Sequence, residues 1–289
     1  MKRQYAPAIE RPGTASVQTG NLRLKSDRST ASQAGEDALV RLPQAPLTKS
    51  PVPWLTSIHA TEGRGPYGDS KYRGNCSGLL IRDLLLYYRP VRVLDPMSGG
   101  GTCWDVCHAL DIPCVSFDLR QGFDATDSAC YASLGVCDFV WLHPPYWNMI
   151  RYNDHPRCLS NAPTLDAFVD SLRTVLRNCA SVLSPAGQVA ILMGDGKHQG
   201  RYMGLPFRTF SAAAEEGYEL AAPEIIRFGH GSTSSQKAYS FSFIPRLHDV
   251  CLVLKRCRLT NPTFANADEG RIRTQTSGRQ VDDEKEDRR

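Results

Sequence analysis

The sequence predicts an α/β fold in which a doubly wound, mostly parallel β-sheet carries helices on both faces. Short apolar runs alternate along the chain with longer segments of helical periodicity, which is typical of parallel strands joined by helical crossovers. The chain has 289 residues, of which 41% are hydrophobic, and this is enough for one sizeable core. In such sheets ligands bind at the carboxyl ends of the strands, near the point where the strand order reverses.

The first half of the pattern is a helix, a strand, a helix and a strand. Leucines at helical spacing over 78–88, directly after Ser77 as a capping residue, predict the first helix. The apolar run at 91–95 is short enough for a buried strand, and the segment 102–110 returns to helical spacing. A second apolar run at 113–118 predicts the next strand.

The second half of the pattern is richer in strands. The run at 138–142 predicts a third strand. The segment 164–183 is amphipathic over its length and starts at a threonine suited to capping, so it predicts a long helix. Three further apolar runs, at 187–195, 218–228 and 248–256, predict the remaining strands.

Charge and composition divide the chain into a body and two tails. The net charge of +4 lies in residues 1–50, which hold eight Lys/Arg and four Asp/Glu, whereas 258–289 has seven of each kind. Neither tail has apolar periodicity, so both are expected to be disordered. The body at 51–257 has equal numbers of positive and negative residues. Binding of nucleic acid would therefore depend on local cations and on the basic tail.

The ten cysteines are expected to be reduced thiols packed as small hydrophobes, with no metal site. No Cys-x-x-Cys pair occurs, although that spacing is typical of zinc sites. Cys107 and Trp104 are expected on the core face of their helix, and Cys114 inside the second strand. No apolar run approaches the roughly 20 residues that span a bilayer. The first residues also lack the apolar core of a secretory signal, so no membrane partner is expected.

A glycine-rich turn follows the first strand. The stretch "LDPMSGGGT" has three consecutive glycines, which let the backbone approach a ligand closely, but it lacks the spacing of a dinucleotide fingerprint or a phosphate loop. The strand ends on Asp95, which would repel a phosphate and suits an ammonium or a hydroxyl. The next strand ends on Asp118, whose carboxylate can accept hydrogen bonds from both hydroxyls of a ribose. Together the two acids indicate a cationic, ribose-bearing amino acid, a description that S-adenosylmethionine fits.

A second motif ends the third strand, where "VWLHPPYWNM" runs from buried residues straight into two prolines and two aromatic rings. "DPMSGGGT" followed by "HPPYW" resembles the S-adenosylmethionine-dependent DNA amino-methyltransferases, whose motifs are Asp-Pro-Phe-x-Gly-x-Gly-Thr and Asp/Asn/Ser-Pro-Pro-Tyr/Phe/Trp. The resemblance covers most of 72–256. It implies a seven-stranded Rossmann-like methyltransferase sheet, with 51–257 as the catalytic domain.

The resemblance also implies two sets of site residues. Asn75 and Ser77 would hold the carboxylate or ammonium of the cofactor, and Asp124 would contact its adenine ring. The full cofactor-binding set is Asn75, Ser77, Asp95, Pro96, Ser98, Gly99, Gly101, Thr102, Asp118 and Asp124. The catalytic set is His143, Pro144, Pro145 and Tyr146.

The catalytic set suits methyl transfer to an exocyclic amine of adenine or cytosine. Such an amine is a poor nucleophile because its lone pair is delocalised into the ring, so acceptors must take its hydrogens and hold it in line with the methyl group. The carbonyl of Pro144 would be one acceptor. Tyr146 would stack on a base flipped out of the duplex, with Trp147 lining the pocket or packing beneath it.

His143 stands where the family has Asp, Asn or Ser. A neutral imidazole still offers one acceptor nitrogen, whereas an imidazolium offers none. Activity is therefore expected to fall as the pH drops through the pKa of this histidine, about 6.5 if unperturbed.

Four loops could choose the target, at 59–75, 148–163, 196–204 and 228–246. They mix cations with tyrosine, serine and glutamine, which suits contacts with phosphates and base edges. The candidates for substrate binding are Trp147, Arg151, Lys197 and Arg201.

These interpretations predict a site-specific DNA methyltransferase that transfers a methyl group from S-adenosylmethionine to an amino group of adenine or cytosine. Its partners would be DNA and a cognate restriction nuclease, and its location cytoplasmic, in a bacterium, phage or mobile element. Two alternatives stay open. One is a methyltransferase acting on RNA or on a protein glutamine; the other is a non-catalytic nucleic-acid-binding relative, against which the intact glycine turn and both acids argue.

Overall fold

The computed structural model describes residues 47–61, 63–228, 244 and 246–257. The tails predicted at 1–50 and 258–289 fall outside these ranges, apart from residues 47–50. The helices are α1 (Gly78–Tyr88), α2 (Thr102–Ala109), α3 (Leu165–Val182) and α4 (Leu205–Glu215). The strands are β1 (Ile58–His59), β2 (Val93–Asp95), β3 (Cys114–Ser116), β4 (Cys137–Leu142), β5 (Leu183–Met193), β6 (Lys197–His198), β7 (Arg201–Tyr202), β8 (Tyr218–Leu220), β9 (Ile225–Phe228) and β10 (His248–Arg256).

Strands β2, β3, β4 and β5 form the parallel half of an eight-stranded sheet. The order across the sheet is β1-β9-β10-β5-β4-β2-β3, with β8 pairing to β10. Strand β10 runs antiparallel to β5, β8 and β9, whereas β1 and β9 pair in parallel. The predicted doubly wound, mostly parallel sheet is confirmed, with eight strands in place of seven. Its order reverses at β2, which has β3 on one side and β4 on the other.

Helices cover both faces of the sheet, as predicted. Helices α1 and α2 pack in one apolar cluster on one face, and α3 and α4 pack in a second cluster on the other. The alternation along β5 shows the two faces, because Val189 and Ile191 belong to the α3 side and Ala190 and Leu192 to the α1 side. All four are fully buried. Burial on both faces explains why β5 is a continuous apolar run in the sequence.

Some predicted elements differ from the observed ones. The single strand predicted at 218–228 is two strands, β8 and β9, because Pro223 lies between them and cannot donate a ladder hydrogen bond. Strand β5 begins directly after α3, so it is longer than the run predicted at 187–195. Helix α4 and the short hairpin of β6 and β7 lie in a segment for which no element was predicted.

The side chains of α2 correct one expectation. Trp104 is 47% exposed and stacks on the ring of His108, with 5.3 Å between the ring centroids, so its predicted place in the core is wrong. Cys107 is fully buried, as predicted. All ten cysteines are free thiols. In the part of the chain that the structure describes, no helix has both the length and the apolar character that crossing a bilayer requires.

Candidate active site

A cleft opens at the carboxyl ends of β2, β3 and β4, which is the edge expected for a ligand. Its empty space, including open solvent at the mouth, is about 840 Å³. The lining residues are Tyr72 and 74–76 before α1, 95–100 with Thr102 and Cys103 around the glycine turn, Asp118, Leu119 and 123–125 after β3, Trp141, His143 and Pro145 at the end of β4, and Tyr152, Asn153 and 157–159 in the following loop.

The cleft contains most of the predicted cofactor set. Its walls include Asn75, Asp95, Pro96, Ser98, Gly99, Thr102, Asp118 and Asp124, whereas Ser77 and Gly101 do not line it. Gly101 has a φ of 78° and precedes the first residue of α2, a left-handed conformation that glycine adopts without strain. Ser77 caps α1 by accepting a hydrogen bond from the Leu79 N–H at 3.2 Å. These two predicted cofactor residues therefore shape the walls from outside the cleft.

Asp95 is a buried acid at the end of β2. Its Oδ1 accepts from the Met97 N–H at 3.3 Å, and its Oδ2 from the Ser116 hydroxyl at 3.4 Å. Burial, followed by the proximity of Cys114, raises the pKa of this carboxyl well above its ordinary value. A buried carboxyl of this kind ionises readily only when a cation comes close to it. Asp95 is therefore suited to meet a positively charged group inside the cleft.

Asp118 is held at the lip of the cleft by the glycine turn and by a cation. Its Oδ2 accepts from the Gly99 N–H at 3.0 Å. Its Oδ1 accepts from the Arg120 Nε at 2.8 Å, and Gln121 closes a capping box with the Asp118 backbone. Arg120 also donates to the Gly99 carbonyl at 2.6 Å, so it links the glycine turn to the segment that follows β3. No sequence motif marks Arg120, although it stands two residues after the acid.

Asp124 also lines the cleft and is paired with a loop cation. Its Oδ1 accepts from the backbone and the hydroxyl of Thr126, and its Oδ2 pairs with the Arg157 Nε. Burial alone would raise the pKa of Asp124, but the hydrogen bonds from Thr126 and Arg157 outweigh it and lower the pKa. Arg157 comes from a distant loop, and only the fold reveals this ion pair. Asp124 is an ionised acceptor in the cleft.

The segment before α1 meets the glycine turn through Asn75. The Thr102 hydroxyl donates to the side-chain oxygen of Asn75, and the Asn75 amide nitrogen donates to the Asp69 carbonyl. Beside this contact, Tyr72 and Tyr152 stack at 5.9 Å between centroids. Both rings line the cleft, so they form an aromatic wall that no sequence motif indicated.

The His-Pro-Pro-Tyr-Trp stretch turns sharply at the end of β4. His143 and Pro145 line the cleft, whereas Pro144 and Tyr146 do not. The Tyr146 hydroxyl lies 3.0 Å from Nε2 of His143, with the donor set by the tautomer of the ring. A Cβ at Gly194, which follows β5, would clash with the ring of Tyr146. Tyr146 can therefore lie beside His143 because residue 194 is a glycine.

A buried ion pair lies behind these two rings. Arg227 of β9 and Asp249 of β10 are cross-strand partners, and their side chains pair. A Cβ at Gly194 would also clash with Oδ1 of Asp249, so this carboxylate is a close neighbour of Tyr146. No local motif marks either charge, and only the register of β9 and β10 brings them together.

The ion pair and burial set the ionisation of both rings. Burial, followed by the positive charge of Arg227, lowers the pKa of His143 to about 4, with Asp249 acting in the opposite direction. Burial, followed by the negative charge of Asp249, raises the pKa of Tyr146 well above its ordinary value. At neutral pH the imidazole is therefore uncharged and the phenol is protonated. Together the two rings carry no charge, and they offer a neighbouring group one acceptor atom, a nitrogen or an oxygen.

The four substrate-binding candidates lie outside the cleft. Trp147 is buried and donates from Nε1 to the Ala162 carbonyl at 2.9 Å, so it packs beneath the site. Three cations are exposed. Arg151 pairs with Asp154 at 2.9 Å, and Lys197 lies over the Tyr202 ring at 4.5 Å, while Arg201 begins β7. These cations belong to the loops that follow β4 and β5.

Among known proteins, this chain is similar to several solved structures. No family model and no curated protein matches the chain. TTHA0409 of Thermus thermophilus, described as a candidate DNA modification methylase, is 23% identical over 47% of this chain and 51% of its own, with a TM-score of 0.34. TrmN of Thermus thermophilus is 16% identical over 64% of this chain and 50% of its own, with a TM-score of 0.38. The N-methyltransferase NodS of Bradyrhizobium japonicum, in complex with S-adenosyl-L-homocysteine, is 10% identical over 62% and 72%, with a TM-score of 0.33. The chain spans about half the length of the first two structures.

Proposed function

We propose that the protein is an S-adenosylmethionine-dependent methyltransferase that acts on the exocyclic amino group of adenine or cytosine in DNA. The observation that carries this proposal is a single cleft whose walls hold the glycine turn, the acids at the ends of two successive strands, and the histidine of the Pro-Pro-Tyr stretch. The catalytic domain is 51–257 in this proposal.

The cleft suits each charged or polar part of the cofactor. Asp95 would face the ammonium, because its buried carboxyl gains its charge when a cation arrives. Asp118 would accept the ribose hydroxyls, and the hydrogen bonds from Gly99 and Arg120 fix its orientation. Asp124 would accept from the amino group of the adenine, a contact that it would share with Arg157. Bound in this way, the cofactor supplies an electrophilic methyl group.

The Pro-Pro turn would hold the target amine. The Pro144 carbonyl and a ring nitrogen of His143 accept its two hydrogens, and the rigid prolines keep these acceptors in place. The Pro144 carbonyl and His143 would hold the amine while the cofactor supplies its methyl group, and His143 or water would take the surplus proton. Tyr146 is proposed as the ring on which the flipped base stacks, oriented by its hydrogen bond to His143.

DNA is the favoured substrate because exposed cations of the two loops that follow β4 and β5 would flank the catalytic edge. Arg151, Lys197 and Arg201 would contact phosphates, which position a duplex without reading its sequence. A cognate restriction nuclease and a cytoplasmic bacterial or mobile-element setting belong to the same proposal. RNA and protein glutamine are the alternative substrates.

The proposal is tested by incubating the protein with radiolabelled S-adenosylmethionine and, side by side, with DNA, RNA and protein extract. Label is expected in DNA with the wild-type protein and with His108→Ala, an exposed histidine of α2 outside the cleft, and it should be lost with His143→Ala. Label found only in RNA or only in protein would show that the substrate is RNA or protein instead of DNA. If calorimetry detects cofactor binding but no label is transferred to any of the three, the protein would be the non-catalytic relative.

A further inference from the structure

Three cysteine thiols converge beneath the glycine turn. Cys103 and Cys107 lie one turn apart on α2, and Cys114 begins the adjacent strand β3. Their sulfur atoms all lie within 4.8 Å of one another. Residues four apart on a helix point to the same side, so α2 presents two thiols to the strand that carries the third. Within the described residues, no other group of histidines, cysteines and acids converges in this way.

The surroundings of this thiol cluster are apolar on one side and border the cleft on the other. Cys103 and Cys107 are buried, and Cys114 is half-buried. Leu80, Ile81 and Val106 belong to the same apolar cluster. Cys103 also lines the cofactor cleft, so the cluster lies directly behind its wall.

We propose that Cys103, Cys107 and Cys114 form a binding site for a soft divalent metal ion of the zinc class. Zinc–sulfur bonds of about 2.3 Å place tetrahedral thiolates about 3.8 Å apart, which the present separation accommodates with little movement. Three protein ligands leave the fourth position for a water molecule from the cleft. The charge favours a divalent ion, because three thiolates around a monovalent ion would leave a larger negative charge in an apolar core.

Ion binding is coupled to proton release. Binding of the divalent ion forms three metal–sulfur bonds, and each thiol that is still protonated loses its proton to solvent. The affinity should therefore rise with pH.

A bound ion would tie the first turn of α2 to β3. Thr102, directly before Cys103, contacts Asn75, and β3 leads to the acid Asp118. The ion would therefore clamp the two elements that frame the cofactor cleft, and this role is independent of the methyl acceptor.

The test uses the full chain, reduced and stripped of metal, titrated with Cd²⁺ and with Zn²⁺. The wild-type protein is expected to give a thiolate-to-cadmium charge-transfer band that saturates at one ion per chain, and Zn²⁺ should suppress this band and raise the melting temperature. Cys103→Ala, Cys107→Ala and Cys114→Ala should each lose the saturating band. Cys179→Ala is the matched control, because Cys179 is a buried thiol of α3 outside the cluster, and it should behave as wild type.

Two outcomes would overturn the proposal. The first is a wild-type protein without a one-to-one cadmium complex, and the second is a band that persists in all three variants. If a variant at a buried position fails to fold, Cys114→Ser at the half-buried position decides the question, with its far-ultraviolet circular dichroism as the check on folding.

Discussion

At the residue scale, His143 stands where the family that the sequence resembles has Asp, Asn or Ser, and it places no charge in the cleft at neutral pH. Desolvation of the ring, followed by the positive charge of Arg227, lowers its pKa to about 4. An imidazole with a lowered pKa stays neutral in the folded protein while unfolded chains protonate below about pH 6.5. His143 therefore keeps its acceptor at neutral pH and lowers the stability of the fold only as the pH falls below that value.

This ionisation predicts an acid-tolerant reaction. Turnover at saturating cofactor should stay level from neutral pH down to about pH 5 and fall only as the pH approaches 4, instead of halving near 6.5 as the unperturbed histidine would require. The measurement is the pH profile of kcat for DNA methylation, with folding followed by circular dichroism. A midpoint near 6.5 in a folded protein would show that the imidazole is solvated when substrate is bound.

Variants of His143 separate methyl transfer from cofactor binding. His143→Ala should lose most turnover and keep its affinity for S-adenosylmethionine, because the ring is proposed to act on the amine. His143→Asn should keep part of the turnover, since an amide oxygen restores an acceptor. Single-turnover methylation and calorimetry on the same preparations measure both quantities. A His143→Ala protein that methylates at the wild-type rate would remove the histidine from the mechanism.

Asp118 should contribute directly to the affinity for the cofactor. Asp118→Ala removes the proposed acceptor of the ribose hydroxyls, so binding should weaken by about 1–3 kcal/mol. Gln121→Ala is the matched control, because it removes only the capping-box contact to the Asp118 backbone and leaves the carboxylate in place. Unchanged calorimetric affinity in Asp118→Ala would place the ribose elsewhere.

At the scale of elements, two charges on β9 and β10 act on the pKa of His143, which follows β4. Arg227 and Asp249 lie on β9 and β10, and they act on His143, at the end of β4, with opposite signs. Arg227 and Asp249 both act on the pKa of Tyr146, and Arg227 acts on the pKa of Cys76. The antiparallel β10 therefore has a chemical role as well as a structural one.

Breaking this pair should raise the pKa of His143. Arg227→Met removes the cation and leaves the Asp249 carboxylate, which favours the imidazolium, so acid loss of turnover should begin at a higher pH than in the wild type. Asp249→Asn should shift the pKa in the opposite direction. NMR titration of the labelled His143 ring measures this without any substrate. An unpaired buried charge costs roughly 3–5 kcal/mol, so Arg227→Met should also melt earlier, and an unchanged His143 titration in the folded variant would contradict the coupling.

The sequence predicts the parts of the site that lie next to one another along the chain. Asp95 and the glycines share one strand turn and His143 shares another, so local motifs suffice to find them. Arg157 reaches Asp124 across 33 positions and Arg227 meets Asp249 through strand register, and neither has a local signal. Pro223 was present in the run predicted as one strand, and its missing N–H should have divided that run.

At the scale of the whole molecule, the uneven distribution of charge bears on how the protein would hold DNA. The body at 51–257 has as many acidic as basic residues, and the surplus of +4 lies in the first fifty residues. Several cations in or near the loops around the cleft are already paired with acids, among them Arg120, Arg151 and Arg157. Electrostatic attraction to a duplex should therefore come from a few loop cations and from the basic segment.

Removing that segment should weaken DNA binding and spare the chemistry. A chain lacking residues 1–46 keeps the part that the structure describes, including the fully buried Val52. It should bind S-adenosylmethionine as the full chain does and still methylate DNA, with a lower affinity and a smaller dependence on salt. Each phosphate contact contributes about 0.9 to the slope of log affinity against log salt concentration, so the loss of slope reports how many contacts the segment makes. Titration of a fluorescent duplex at several salt concentrations gives both slopes. Equal slopes for the two proteins would place all phosphate contacts on the body, and a shortened chain that no longer binds cofactor would show that the segment is part of the fold.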